Sequence, residues 1–226
     1  MKKVLLPITV QLHQQFQNIR QQLNVGSNEK LSKPLGVVLA DLSCEVIDQL
    51  FMELIRKSKL VATTPDEHKM INDSEKVVNQ VIETFRKYMP YSVSLFGNER
   101  LVGVVNYLDQ QILQQDGQYY VTFDVDEKLV NETVAYGQNI QAGDQKSTVP
   151  AFENLIRIID KGVDVLVREP KKLLKFNFVV DKTLTGVLNM TTSLGYKRLQ
   201  KLSTQMNNKQ ASQYVTHFTG FVDAKK

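Results

Sequence analysis

Asp41, Cys44, Glu45 and Asp48 stand 3, 4 and 7 positions apart from the first, so on a helix they share one face. Carboxylates and a thiol placed that way can exchange a proton or hold a cation. The face points away from the apolar Leu39, Val46 and Leu50, however, and reads as solvated surface. Asp66, Glu67 and His68 fall in the first turn of a helix opened by Thr64-Pro65, where acids favour the positive helix end and Glu67 completes a capping box with Thr64. Capping accounts for them without catalysis. Three positions before His13, His68 and His217 stand Val10, Pro65 and Tyr214, so the Glu-x-x-His pairs of di-iron bundles are missing, as is a His-Glu-x-x-His zinc helix. Neither a Gly-x-Ser-x-Gly elbow, a Walker phosphate loop nor a Gly-x-Gly-x-x-Gly turn occurs. No catalytic residue, metal or cofactor is expected, and a non-enzymatic role is expected over an enzymatic one.

The elements that would carry any site are mostly helices. Ile8, Leu12, Phe16, Ile19 and Leu23 recur at helical steps, and a second helix is read from about Pro34 to Lys57. The third runs from Thr64 to Tyr88 with Pro90 as its stop, and a fourth, opened by Asn98, ends before the turn pair Asp116-Gly117. Residues 119–125 alternate in a period of two and need a strand partner, for which the β-branched and aromatic stretch 214–222 is the first choice and Val4 to Val10 another. A helix from about Asp126 to Tyr136 and a polar loop from Gly137 to Val149 follow.

From Phe152 on, seven apolar residues stand at a strict seven-residue step: Phe152, Ile159, Leu166, Leu173, Val180, Val187 and Leu194. An odd step scatters over both faces of a strand but returns near one stripe on a helix, so this region reads as helix, broken or kinked at Pro170 and resuming from Lys171 to Met206. Strands across 175–192, suggested by β-branched residues there, are the alternative. The fold class is thus mainly α, a multi-helix bundle with a long C-terminal helical segment and a small antiparallel sheet of 119–125 with 214–222. It divides into an acidic helical half, 1–117, and a basic half, 118–226, or forms one domain. Gly36, Gly103 and Gly186 each precede a valine inside a helix and suggest close helix crossings.

At 42% hydrophobic and 23% charged, the 226 residues have the composition of a globular protein able to bury a core. A lone Cys44 forms no internal disulfide, the apolar start after Lys2-Lys3 is interrupted by Pro7 without a cleavage site, and no window approaches the ~20 apolar residues of a membrane span. The cytoplasm is the expected compartment. The net +4 is uneven: residues 161–226 hold 12 Lys and Arg against 4 Asp and Glu, a local +8. Lys171, Lys172, Lys175, Lys197, Arg198 and Lys201 are the candidate anion contacts there. Residues 168–172 with 181–186 resemble the two-part signature of cyclic-dinucleotide-binding PilZ barrels. Lysine replaces its second arginine and threonine its serine, and the gap is short, so the signature is not met.

Three functional readings follow. In the first, the seven-residue stripe mediates self-association or docking to another protein. In the second, the basic half binds nucleic acid or an anionic surface. The third is a bundle enclosing an apolar ligand such as an acyl chain, suggested by helices apolar on more than one face and by six methionines.

Overall fold

The computed structural model describes residues 1–222. Strand β1 (Lys2–Ile8) leads through Thr9, whose hydroxyl accepts from the Leu12 amide, into helix α1 (Val10–Asn24). Helix α2 (Ser32–Ile47) continues through one π-helical turn, Asp48–Met52, into α3 (Glu53–Val61). Helix α4 (Pro65–Ser94) opens with the expected capping box: the Glu67 amide donates to Thr64 Oγ1 at 3.2 Å, and the Thr64 amide donates back to Glu67 Oε2 at 3.1 Å. Helix α5 (Asn98–Asp109) precedes the hairpin of β2 (Ile112–Gln115) and β3 (Gln118–Val125). Then come α6 (Glu127–Gln141), a 3-10 turn at Gln145–Ser147, α7 (Thr148–Val163), a second π-helical turn at Asp164–Arg168, and α8 (Glu169–Leu174). Helices α9 (Phe178–Gln205) and α10 (Asn208–Thr219) complete the described chain.

The protein is therefore mainly α with a small antiparallel sheet, in the order β1-β3-β2. The partner of 119–125 is the amino-terminal strand, in a register that sets Lys2 against Val125 and Ile8 against Tyr119. The expected partner, 214–222, is helical up to Thr219 and touches the sheet through a bridge from Val222 to Val4. Its helix is started by a capping box in which Asn207 accepts from the Gln210 amide, 3.0 Å, and overrides the β-branched composition that follows. Asp116 and Gly117 both hold positive φ, 51° and 79°, the backbone of a two-residue hairpin that turns β2 into β3. The fourth helix consequently stops at Asp109, earlier than the sequence suggests.

Two prolines do not act as breakers. Pro90 lies inside α4, which continues to Ser94, and its Cα sits where a Cβ on Gly36 would come to 2.6 Å, so α2 and α4 cross as closely as glycine allows. Gly103 and Gly186 have open space instead, and no crossing explains them. Pro170 sits in the first turn of α8, directly after a π-helical turn, and helix persists through it. The break falls at Lys175, in the left-handed region with φ 50°, five residues later than expected. Beyond it, 178–192 is helix and not strand, and the supposed loop 137–149 is largely helix as well.

The sheet turns Val4, Leu6 and Ile8 of β1 and Val121, Phe123 and Val125 of β3 to its buried face, while Thr122, on the other face, is buried as well and donates to the Gln111 carbonyl. Helix α7 lies over the first of these faces, where Gly162 makes room for the Phe123 ring, whose Cζ stands 2.9 Å from the ideal Cβ position. Phe152 and Leu155 of α7 also join Leu199, Leu202 and Val215 in a second core with α9 and α10.

Candidate functional site

Helices α4 and α9 run antiparallel, because the end of α4 meets the start of α9 and the start of α4 meets its end. Just after α4, Phe96 packs edge-on against Phe176, ring centroids 4.7 Å apart. Near the start of α4, Arg198 of α9 donates from Nε to Ser74 Oγ at 3.0 Å and from Nη2 to the Met70 carbonyl. Burial pushes that guanidinium below its ordinary pKa, with Asp73 acting against the shift. About 30 Å of helix lies between the two pins at 1.5 Å per residue. Val81, Phe85 and Tyr88 of α4 face Leu184, Leu188 and Thr191 of α9 across a gap between them.

That gap is one side of a cavity of about 320 Å³. Its other walls are α2, α7 and the apolar face of the sheet, through Leu39, Ile159, Val163, Leu6, Val121 and Phe123. Both π-helical turns contribute, Leu50 and Phe51 from the first and Leu166 and Val167 from the second. A π turn widens a helix and leaves a carbonyl without its usual partner, and here a side chain from a neighbouring element serves one carbonyl in each turn. The Tyr107 hydroxyl donates to the Val165 carbonyl at 3.0 Å, where the following Pro170 brings no N–H, and His217 Nε2 bonds the Gln49 carbonyl at 3.0 Å.

Hydroxyls in the wall are turned away from the cavity chemically even where they line it. Ser43, Thr84, Thr191, Thr192 and Thr219 each donate to the carbonyl four residues back on their own helix, at 2.7 to 3.0 Å. Tyr196 donates to Asp160 Oδ1 at 2.7 Å, and its phenol is held well above the ordinary range by burial and by that carboxylate. Asp160 in turn pairs with Arg168 at 2.8 Å, so this polar cluster is satisfied from within. Among the described residues Lys171 is the one charged side chain in the wall, largely buried and paired with the half-exposed Asp181. The cavity therefore offers an incoming molecule an apolar surface and a single ammonium.

Four of the seven stripe residues meet here or in the adjoining core: Ile159, Leu166 and Val187 line the cavity, and Phe152 is fully buried beside it. Leu173 instead is exposed, Val180 lines a shallow recess beside Leu95 and Phe96, and Leu194 is half-buried. The break at Lys175 explains the division, since α8 and α9 cannot continue one stripe across it. The basic residues divide too. Lys172 pairs with Glu169 at 2.6 Å, and Lys171, Lys172 and Lys175 cluster at the α8–α9 turn, whereas Lys197 and Lys201 are exposed near the far end of α9 and Arg198 is buried.

The carboxylate face of α2 is not one solvated patch. Cys44 is buried, which raises its thiol pKa, while Glu45 accepts from the Thr9 amide at 2.8 Å and Asp48 pairs with Arg56. Among the described residues no group of three or more His, Cys, Asp or Glu is arranged to hold a metal ion, and no helix is long and apolar enough to cross a membrane. Neither a family model, a curated protein nor a solved structure matches the chain. What the site does is therefore argued from its geometry.

Proposed function

We propose that this protein binds one molecule with a long apolar chain, such as a fatty acid, in the cavity between α4, α7, α9 and the sheet. The carrying observation is the 320 Å³ cavity whose wall serine and threonine hydroxyls are already bonded to their own helices. Ligand sites fall in the range of about 300–1,000 Å³, which includes it. Water is poorly accommodated, because an ordered water needs two to four polar partners and the wall offers few. While the space stands unfilled, the apolar side chains that line it forgo van der Waals contacts. An acyl chain recovers that contact. Lys171 supplies the counter-charge for an acidic head group by exchanging Asp181 for it.

Self-association through the stripe draws less support, since Phe152, Ile159, Leu166 and Val187 are engaged inside the molecule. Native mass spectrometry after gentle purification, followed by titration of the delipidated protein with dodecanoic to octadecanoic acids, tests the proposal. A 1:1 adduct or saturable 1:1 binding is expected. A bare chain mass together with no saturable binding of any of these acids overturns it.

A further inference from the structure

We propose that the α8–α9 turn docks the protein on an anionic lipid surface. The left-handed Lys175 reverses the chain sharply, and Asn177, accepting from the Val180 amide at 3.0 Å, restarts it as α9. Around this reversal Phe178 is 80% exposed, Val179 72% and Leu173 44%. Apolar side chains this exposed, grouped within seven residues at one turn, mark an interaction surface. Their rim is basic. Lys175, Lys182 and Arg100 are exposed and have no carboxylate within salt-bridge distance among the described residues, and the Arg100 guanidinium approaches the Lys175 carbonyl at 3.5 Å. Apolar tips ringed by uncompensated cations complement a bilayer surface rich in anionic lipid: the side chains enter the boundary of the acyl region while the cations remain among the head groups. The same turn walls the cavity, through Lys171, Leu174 and Phe176, so docking brings the cavity's basic end to the source of an acyl ligand. The docking itself does not depend on the cavity being filled.

Cosedimentation of the full chain with vesicles of phosphatidylcholine alone, or with a third phosphatidylglycerol, tests this at low and moderate salt. Binding at least tenfold tighter to the anionic vesicles, weakening as salt rises, is expected. The double variant Phe178→Ser/Val179→Ser and the triple variant Arg100→Gln/Lys175→Gln/Lys182→Gln should each lose tenfold or more, with unchanged circular dichroism and unchanged titration by dodecanoic acid. Failure of that titration in the wild type, with vesicle binding intact, counts against the cavity proposal alone. Equal binding to both vesicle types, or wild-type binding by both variants, overturns docking. So does a concentration-dependent dimer abolished by Phe178→Ser/Val179→Ser, or oligonucleotide binding that depends on the three cations in protein that ignores vesicles.

Discussion

His13 shows how one side chain ties the fold to pH. Its ring stacks on Tyr119, centroids 3.7 Å apart and 15° from parallel, and its Nδ1 is buried without a hydrogen-bond partner. Burial lowers its pKa from 6.5, with Asp109 pulling the other way, so the fold favours the neutral imidazole. Because the folded value lies below the unfolded one, its contribution is fully present above pH 6.5 and is lost as pH falls from there to the folded pKa. Chemical denaturation across that window should show declining stability with falling pH, and His13→Phe, which keeps the stack, should flatten this part of the profile. Lys171 makes a different prediction at the same scale. Lys171→Met should weaken binding of dodecanoic acid tenfold or more and that of dodecanol much less, since the carboxylate forms an ion pair with the ammonium whereas the hydroxyl only accepts a hydrogen bond from it. Equal losses for acid and alcohol in a calorimetric titration would remove Lys171 from the head-group role.

At the scale of elements, the π turns carry a cost that neighbouring side chains offset. Tyr107→Phe leaves the Val165 carbonyl without its donor and should destabilise the protein by about 1–3 kcal/mol, read as a lower urea midpoint. Gly36→Ala should cost about 1–3 kcal/mol for another reason, because its Cβ meets Pro90 backbone and not a yielding side chain. The π turns are not written in a local pattern, and the glycine–valine pairs marked a close crossing at Gly36 but equally at Gly103 and Gly186, where there is none, because a crossing arises where distant elements meet. What is local was legible: the capping box at Thr64 and Glu67, the amphipathic α1, and the two-residue turn at Asp116-Gly117. The β1–β3 pairing spans more than a hundred residues, and over such a distance strand-like composition alone does not choose between 4–10 and 214–222 as the partner. A second capping box, Asn207 with Gln210, was present in the sequence to reject the latter. The seven-residue stripe correctly indicated helix, but period alone cannot separate a surface seam from a cavity wall. Of the methionines that suggested an adaptable pocket, Met89 alone lines the cavity.

At the scale of the whole molecule, the proposed ligand binding sets stability and function against each other in the cavity. Helix α9 is a poor helix by composition, with Gly186 and Gly195 inside it and β-branched Val179, Val180, Thr183, Thr185, Val187, Thr191 and Thr192 along its first half. It nevertheless forms one long side of the site, fixed by Phe96–Phe176 at one end and Arg198–Ser74 at the other. Gly195 lies on the same face as the cavity-lining Leu184, Leu188, Thr191 and Leu199, and a Cβ added there meets nothing within 4 Å. Selection for a packed core would have placed a larger residue here, since a leucine gains about 1 kcal/mol in helix propensity and more from the apolar surface it covers. If the space is kept for a ligand, Gly195→Leu should raise the melting temperature of the delipidated protein by several degrees and weaken dodecanoic acid binding at least tenfold. The same substitution in a protein whose cavity had no occupant would raise stability with nothing lost. A stabilised variant that still binds the acid at wild-type affinity would place the acyl chain elsewhere in the molecule.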